Sequence, residues 1–576
     1  MKNRVRTDFD VTRITGWVLV AICVVLIGFP LLFVIAQGFA PGIGLQREWN
    51  FNPGLVLEIF DRPLWRLSLY NSLVLATGAM VMGTTLGTGL AFLTQTRKFR
   101  FSGLIDASAW ILLVSPSFII AQGWVLFSSP SGVARNSFGI DISSLVFSPI
   151  GLITIMALKN FPYAYLAVSA ALKWDHRSLW DAGSLAGVKP ATIFWTLRLP
   201  MLLPSIMSGA ILIFVDTIGD FGLPSAVSAQ YNYPTLPYSI YAAVRQSPVR
   251  FDLGGVLALY LVVIVAIAIS LYFRLITGST YSFLAGGSMR TRKVRTGYSW
   301  VCSLIAVLVL LITLFIPVGT SVQVSVSERL SGGFALENFT LDHYKAAFAP
   351  DSRLLDGIFN SIWIAAAVAV FATLTGLFMA IFMTFVDFRG NKLFDLISTL
   401  SLAVPGIVIA VGYIFVWNQP VLADIGLNLY GEPVLLVMVG VASALPLAVR
   451  LQAGSLVQVS PNLLTAAETA GAGFFRRVST ILVPLVAPAV VSAFAAVLAS
   501  SVFDLAATMM LAPPSFTTLP VEILSEYEKG RYGYATAGAV ASMVLVIALV
   551  SISRLVGARF LAFDGTQKSE EINDSE

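Results

Sequence analysis

The sequence predicts an all-α polytopic membrane protein with about 12 transmembrane helices, arranged as two parallel six-helix repeats. Three observations predict this class: the apolar content, the number of long apolar runs and an internal duplication. Hydrophobic residues make up 57% of the 576 residues and charged residues only 12%, and the mean hydropathy is +0.83. A water-soluble globule cannot bury so large an apolar fraction. The chain is therefore predicted to reside in a bilayer.

Long apolar runs supply the predicted helices. The runs Ile14–Phe39 and Leu253–Ile276 are long enough to cross a hydrocarbon core of about 30 Å as helices. Apolar windows of this kind lie near residues 14–39, 68–95, 103–128, 147–172, 202–224, 251–276, 298–322, 356–385, 393–417, 433–457, 486–512 and 533–560. Many such runs predict a helical bundle rather than a barrel.

The duplication is visible as short motifs that recur in the same order. Asn71-Ser72 and Asn360-Ser361 lie 289 positions apart (360 − 71). The stretch from Asp181 matches the stretch from Thr465 at an offset of 284 (465 − 181), and a Thr-Leu-Pro motif recurs at residues 235–237 and 518–520. A slowly drifting offset indicates duplication with small insertions and deletions. Because six spans per copy is an even number, the two copies are predicted to point the same way across the membrane.

These patterns predict a first repeat over residues 1–290, a second repeat over residues 291–562 and a tail over residues 563–576. The tail is polar and lacks an apolar face, so it is predicted to be disordered. Basic residues concentrate in alternate connecting segments, among them Arg97, Lys98, Arg100, Lys189, Arg290, Arg292, Lys293, Arg389, Arg476 and Arg477. The positive-inside rule then predicts that both termini and the tail are cytoplasmic.

The longest duplicated motif falls in the loop between the fourth and fifth spans of each repeat, over residues 175–200 and 460–484. In the second copy Ser460 is a predicted N-cap, Pro461 takes the first helical position and Gly471 ends the short helix. Small residues on this helix would let another protein approach its backbone closely. An amphipathic helix lying on lipid headgroups is the alternative, but two copies with identical spacing favour a docking element.

The spacing acid-Ala-small-x3-Gly-x9-apolar-x-apolar-Pro resembles the EAA loop of ABC importer permeases of the binding-protein-dependent type, and the fold is then expected to be the type I permease fold. The resemblance implies an ATPase-coupling role for the matching residues. These are Asp181, Ala182, Gly183, Gly187, Leu199 and Pro200 in the first loop and Thr465, Ala466, Ala467, Gly471 and Pro484 in the second. Asp181 keeps the charge of the usual Glu, whereas Thr465 loses it. Glu468, one turn later, is expected to substitute in part.

The resemblance implies two copies of an ABC ATPase and an extracytoplasmic solute-binding protein as partners, in a bacterial inner membrane. The chain has no G-x-x-x-x-G-K-[ST] motif, so ATP-Mg is expected on the partner ATPase and no cofactor in this chain. A transporter subunit is predicted rather than an enzyme, with no nucleic-acid partner. Neither His176 nor His343 is expected to be catalytic.

Fusion of two such units resembles the permeases of the ferric-iron importer group, as do the segments Phe214–Ser228 and Phe503–Leu511. The resemblance favours ferric iron as the solute, with thiamine, polyamines, phosphonates and sugar phosphates as alternatives. Asp216, Asp220 and Asp504 are candidates for the translocation path, because an ionisable residue at membrane depth costs about 2.5 kcal/mol or more without a partner. The alternative is that these acids cap helix ends. A secondary transporter with parallel repeats and a scaffold without transport are the rival functions.

Overall fold

The computed structural model describes residues 9–40, 51–173, 183, 185–228, 230–278 and 298–573. Within these ranges the chain forms helices, turns and loops, and no β-strand. The first half contains α1 (Phe9–Cys23), α2 (Phe29–Phe39), α3 (Leu55–Asp61), α4 (Pro63–Thr96), α5 (Ser102–Val114), α6 (Ser117–Ser128), α7 (Val133–Phe138), α8 (Ser143–Val146), α9 (Pro149–Lys173), α10 (Pro190–Ile193), α11 (Leu199–Ile218), α12 (Gly222–Val227), α13 (Leu236–Arg245) and α14 (Phe251–Gly278).

The second half repeats this order of elements. It contains α15 (Ser299–Leu310), α16 (Ile316–Ser325), α17 (Asp342–Ala347), α18 (Arg353–Phe385), α19 (Asn391–Ala403), α20 (Gly406–Trp417), α21 (Pro420–Asp424), α22 (Val434–Leu456), α23 (Pro461–Thr469), α24 (Phe474–Arg477), α25 (Val483–Val502), α26 (Leu505–Leu511), α27 (Leu519–Glu528) and α28 (Tyr532–Asn573). The described residues therefore confirm the predicted all-α class and the duplication.

Four π-helical turns occur at matching places in the two halves, each directly before a helix with proline at its second residue. They are Val24–Gly28, Phe194–Arg198, Leu311–Phe315 and Val478–Leu482. Proline has no N–H and its ring crowds the carbonyl four residues earlier, so the helix widens locally. The carbonyl of Leu26, four residues before Pro30, instead accepts a hydrogen bond from the hydroxyl of Tyr413 at 2.9 Å.

Ten helices among the described residues are long and apolar enough to cross a membrane. The predicted span 103–128 is not one of these ten helices, because the chain bends by 109° between α5 and α6. Their junction contains Pro116, which cannot donate the hydrogen bond that a continuous helix would need. The predicted span 393–417 is likewise divided, into α19 and α20, at Pro405. Each of the two predicted spans is therefore interrupted at a proline.

The broken helices nevertheless return the chain across the bundle. Gly78 of α4 packs on Ile153 of α9, and Gly87 packs on the backbone of Phe161. Residue numbers rise together along both helices, so α4 and α9 are parallel. The chain between them must then run back over the full length of α4. In the second repeat Gly376 packs on Ala448 in the same sense. The described residues thus give ten membrane-crossing helices, or eleven with the bent pair α5 and α6 counted as one span, and the predicted six spans per repeat stay a prediction.

Packing divides the chain into two compact units, each of which contains parts of both repeats. The repeat boundary predicted at residues 290 and 291 stays a prediction. The first-repeat unit comprises Leu57–Ala242 and Tyr260–His343. The second-repeat unit comprises Met1–Val56, Ala243–Leu259 and Tyr344–Glu576. The first long helix of each repeat therefore belongs to the unit formed mainly by the other repeat. Sequence repeats alone could not reveal this exchange, because it depends on which surfaces meet.

Glycine contacts fix the exchanged helices inside each unit. In the second-repeat unit, a Cβ on Gly412 would lie 2.5 Å from the carbonyl oxygen of Pro30. In the first-repeat unit, a Cβ on Gly123 would lie 2.2 Å from the carbonyl oxygen of Pro317. Both separations are too short for any side chain, so each backbone approach requires glycine. Small residues permit such close helix packing in a bilayer.

The C-terminal helix is longer than predicted. The tail over residues 563–576 was expected to be disordered, but α28 continues through Asn573. Extending an existing helix adds one hydrogen bond per residue without a new nucleation step. The polar composition of the tail therefore did not prevent helix formation over its described part.

Candidate functional site

The second duplicated loop forms the predicted short helix, α23. Ser460 is its N-cap, and its hydroxyl accepts from the backbone N–H of Asn462 at 3.4 Å. Pro461 takes the first helical position. At the other end Gly471 has a φ of +82°, and the N–H of Ala472 bonds to the carbonyl of Ala467 at 2.9 Å. This is a glycine C-cap of the Schellman type, so the predicted start and stop are confirmed.

The first duplicated loop ends with the same cap. The N–H of Val188 bonds to the carbonyl of Gly183 at 3.1 Å, and Gly187 has a φ of +74°. These positions are equivalent to those in the second loop at the offset of 284 (472 − 188). Asp181 and Ala182, also predicted for this site, lie outside the described residues. The glycine corner is therefore a shared feature of both loops.

Leu464 fastens α23 to the C-terminal end of α18. Its side chain is buried and lines a small apolar cavity together with Ile381, Phe385, Phe474 and Val478. Phe474 also stacks edge-on against Phe382 of α18, with ring centroids 5.9 Å apart. The short helix is thus seated on a long membrane helix rather than free in solution.

An ion pair holds the same face of α23, because Glu468 lies one turn after Leu464. Oε2 of Glu468 lies 2.8 Å from Nη1 of Arg477, whose side chain is buried. Thr465 is exposed and its hydroxyl donates to the carbonyl of Pro461 at 3.2 Å. Glu468 was predicted to replace the acid missing at position 465. The structure gives its carboxylate a partner within the chain, and its contribution to docking stays a prediction.

The exposed face of α23 is apolar and mostly small. Leu463, Ala466 and Ala470 recur at helical spacing and are exposed, while Ala467 is half-buried. Residues three and four apart share one helix face, so these side chains form one stripe on the face next to that of Leu464. A stripe of this kind lets a partner surface approach the helix backbone. Nothing in the described part of the chain covers it.

The prolines predicted at the ends of the two loops begin the fifth long helices. Leu199 and Pro200 start α11, and Val483 and Pro484 start α25, each after a π-helical turn. Pro200 and Pro484 are half-buried. The loop, the turn and the long helix therefore form one continuous stretch in each repeat. Movement of the loop would act directly on the helix that follows it.

Asp216, a predicted residue of the translocation path, has two partners within the first-repeat unit. Its Oδ2 lies 3.2 Å from Nζ of Lys159, and its Oδ1 accepts from the hydroxyl of Tyr163 at 2.9 Å. Both partners are on α9. A carboxylate within a long apolar helix is compatible with a bilayer because the ion pair with Lys159 offsets the cost of its charge.

Asp220 and Asp504 each cap a short helix in their own unit. Oδ1 of Asp220 accepts from the N–H of Leu223 at 2.8 Å, at the start of α12. Oδ1 of Asp504 accepts from the N–H of Ala507 at 3.1 Å, at the start of α26. The two acids therefore do what the helix-cap alternative expected. Their place on a translocation path stays a prediction.

Two duplicated motifs, Asn-Ser and Thr-Leu-Pro, had no role assigned from the sequence. In the structure they lie side by side and are connected by hydrogen bonds. In the first-repeat unit, Nδ2 of Asn71 donates to the carbonyl of Pro234 at 3.0 Å, and Oγ of Ser72 accepts from the N–H of Leu236 at 2.7 Å. We call this pair of bonds the Asn-Ser clamp. It ties α4 to the first residue of α13.

The second-repeat unit contains the same clamp. Nδ2 of Asn360 donates to the carbonyl of Thr517 at 2.8 Å, and Oγ of Ser361 accepts from the N–H of Leu519 at 2.9 Å. The recurrence of Asn-Ser and of Thr-Leu-Pro in both halves was the available signal. Sequence alone could not show that the two motifs touch, because about 160 residues separate them in each repeat.

No group of three or more His, Cys, Asp or Glu side chains stands close enough to hold a metal ion among the described residues. The acids of the candidate path are accounted for instead by the cap bonds and the Lys159 pair. The described residues thus show two loops with a glycine corner, two Asn-Ser clamps, and acidic side chains with hydrogen-bond or ion-pair partners.

Comparison with known proteins matches both halves separately. The family described as "Binding-protein-dependent transport system inner membrane component" matches residues 83–277 and 372–562. A ferric transport system permease protein of Actinobacillus pleuropneumoniae is 21% identical over 524 residues, which is 88% of this chain and 74% of the relative. An Fe(3+)-transport system permease protein of Haemophilus influenzae is 27% identical over 534 residues, 89% of this chain and 93% of the relative.

Other relatives cover only part of the chain. A putative 2-aminoethylphosphonate transport system permease protein of Salmonella typhimurium is 27% identical over 252 residues. That match covers 44% of this chain and 89% of the relative. Single-unit permeases thus align with part of the chain, as expected for a fusion of two units.

Proposed function

Because the chain belongs to the family of binding-protein-dependent transport system inner membrane components, we propose that it forms the translocation pathway of an ATP-driven importer for ferric iron. The chain is a multi-pass inner-membrane transport permease and not an enzyme. The finer parts of the proposal are the energy source, the solute, the number of partners and the orientation. Each is argued separately below.

The two capped loops carry the proposal for the energy source. Both loops contain the same glycine corner, and α23 carries an exposed stripe of small residues. This arrangement suits insertion of α23 into a groove of a separate protein. Two loops per chain imply two copies of an ABC ATPase, one on each loop. ATP-Mg would bind those ATPases, and no nucleotide site is assigned to this chain.

The charge distribution supports the orientation. Lys189 lies in the first loop, and Arg476 and Arg477 lie in the second, so the loops are proposed to face the cytoplasm under the positive-inside rule. Both termini would then be cytoplasmic as well, because the sequence predicts an even number of spans, six, for each repeat. The opposite face, which carries the Asn-Ser clamps, would receive the extracytoplasmic solute-binding protein.

The relatives that span most of the chain favour ferric iron as the solute. Two of them are ferric transport permeases that align with 88% and 89% of this chain. The aminoethylphosphonate relative covers 44%, so a phosphonate is the second candidate solute. In this design the solute-binding protein selects the solute, and the permease admits what that protein delivers.

The test is ATP-dependent uptake by the assembled complex. The chain is purified with its ATPase, reconstituted into proteoliposomes and supplied with the solute-binding protein loaded with radioactive ferric iron. We expect uptake that requires ATP hydrolysis and the binding protein. Uptake at full rate without an ATPase would instead establish the rival function, a secondary transporter. Uptake of a phosphonate but not of iron would change the solute and keep the mechanism.

A further inference from the structure

The helix α18 connects two fastened elements that lie at opposite ends of it. Near its N-terminus, Asn360 and Ser361 form the Asn-Ser clamp with Thr517 and Leu519. Near its C-terminus, Phe385 and the buried Leu464 of α23 line the same small cavity, and Phe382 contacts the ring of Phe474. The 25 positions from Asn360 to Phe385 correspond to about 37 Å of α-helix.

Further contacts strengthen the clamp end. A Cβ on Gly357 would lie 3.1 Å from the backbone nitrogen of Leu519, so the two backbones are in close contact. The hydroxyl of Ser352, just before α18, lies 2.7 Å from the hydroxyl of Tyr534 on α28. Glu522 of α27 is buried and its carboxylate lies 3.7 Å from Nε of Arg353. The start of α18 and the start of α27 therefore behave as one packed body.

The helix between the two ends has no obvious hinge. No proline occurs between Arg353 and Phe385, and the described helix is continuous over this range. Gly376 packs against the backbone of Val449 of α22 at a separation of 3.1 Å from its would-be Cβ. A long helix without a proline or π-helical turn transmits displacement along its length, because its usual kink sites are missing.

We propose that α18 is a lever that links the ATPase-docking helix α23 to the short helices α26 and α27, with Asn360 and Ser361 as positioning residues at the far end. Displacement of α23 moves the C-terminus of α18 through Leu464. The clamp then carries the motion to α27 and to its neighbour α26, which Asp504 caps. The reverse path carries a signal from a protein docked near α27 to the ATPase. The lever rests on the proposed function, since it needs an ATPase on α23.

The experiment compares how strongly the solute-binding protein stimulates ATP hydrolysis by the assembled complex in proteoliposomes. Asn360→Asp keeps the side-chain volume but replaces the donor with an acceptor that faces the carbonyl of Thr517. Ser361→Ala removes the acceptor for the N–H of Leu519. We expect each variant to retain ATPase association and basal hydrolysis, and the stimulation to fall about fivefold or more, the scale of an ordinary coupling free energy.

The matched control is Ser542→Ala. Ser542 is buried in the same unit, and its hydroxyl bonds to the carbonyl of Ala539 on its own helix. This substitution removes a buried hydroxyl without touching the clamp, so stimulation should stay at the wild-type level. Membrane abundance of each variant is measured alongside, and Asn360→Asp provides the result if Ser361→Ala is poorly inserted.

The outcomes separate the lever from the proposed function. If the binding protein stimulates ATP hydrolysis equally in the wild-type complex and in the clamp variants, the lever is wrong. The proposed importer function is then unaffected. If Ser542→Ala lowers the stimulation of ATP hydrolysis as much as the clamp variants do, the lever is also wrong. The loss would then follow from removing any buried polar group and would not be specific to the clamp. Wild-type chain that binds no ATPase refutes the proposed function itself.

Discussion

The carboxylate of Glu468 lies 2.8 Å from the guanidinium of Arg477, and Arg477 is buried while Glu468 is partly exposed. Ile193 occupies the position of Arg477 in the first repeat (477 − 284). There, Ile193 is buried and a Cβ on Gly183 would lie 3.1 Å from its Cδ1. An isoleucine cannot form the ion pair of the second loop, so the two loops differ at this position, and we predict unequal contacts with the two ATPase copies.

Glu468→Gln should destabilise the second loop by about 1–3 kcal/mol, because it leaves the buried charge of Arg477 without its counter-ion. The exposure of Glu468 keeps the loss below that of a fully buried pair. Adding Arg477→Met should recover part of the stability. Thermal unfolding in detergent and ATPase co-purification are the measurements.

Glu328→Gln is the control for this pair, since the Glu328–Arg329 pair is exposed on both sides. It should change stability by about 0–1 kcal/mol. Equal effects of Glu468→Gln and Glu328→Gln would show that the buried pair has no special role.

Gly471→Leu should weaken ATPase association while the chain still inserts into the membrane. Its positive φ of +82° costs a residue with a Cβ roughly 1–2 kcal/mol, so the glycine corner would distort. Gly187→Leu should act the same way on the first loop. Pull-down of the ATPase measures the effect, with membrane abundance as the reference.

Gly473→Leu is the matched control, because Gly473 has a φ of −66° and open space around its would-be Cβ. ATPase association should be nearly normal in this variant. Unchanged association and transport in both Gly471→Leu and Gly187→Leu would count decisively against the docking role of the loops.

Leu464→Ala and Leu463→Ala should separate the packing of α23 against α18 from the binding of the ATPase to α23. Leu464 is buried beside the C-terminal end of α18, so its truncation should cost about 2–5 kcal/mol and lower the melting temperature. Leu463 is 49% exposed on the neighbouring face. Its truncation should leave the melting temperature within error and reduce ATPase binding. The opposite assignment of the two effects would mean that the exposed stripe is not the docking face.

Asp504→Asn and Asp504→Ala should separate the helix-capping role of Asp504 from the role of its negative charge in solute uptake. Asn is as good an N-cap as Asp, whereas Ala costs about 0.5–2 kcal/mol. We expect the Asn variant to keep its stability and to lose ferric iron uptake, and the Ala variant to lose both. Full uptake by the Asn variant would assign Asp504 to the helix cap alone. Uptake is measured in the reconstituted complex at matched protein abundance.

Local patterns in the sequence predicted a large part of the fold and of the docking loops. Apolar windows marked the long helices, and Ser460 and Gly471 marked the ends of α23, because caps depend on residues within one turn of each other. The repeated spacing also marked Asp220 and Asp504 as equivalent. Their helix-cap role was an open alternative that the structure showed directly.

Contacts between distant residues decided the rest. The exchange of the first helices, the pairing of Glu468 with Arg477 and the two Asn-Ser clamps all join residues that no local pattern relates. The break at Pro116 carried a local signal, but hydropathy averages over such a break and predicted one span. The sequence by itself determined which segments are helical, membrane-embedded and duplicated, since each property sums over neighbouring residues. Only the tertiary structure decided which helix faces meet, because packing selects among surfaces of similar hydrophobicity by shape and by the pairing of polar groups.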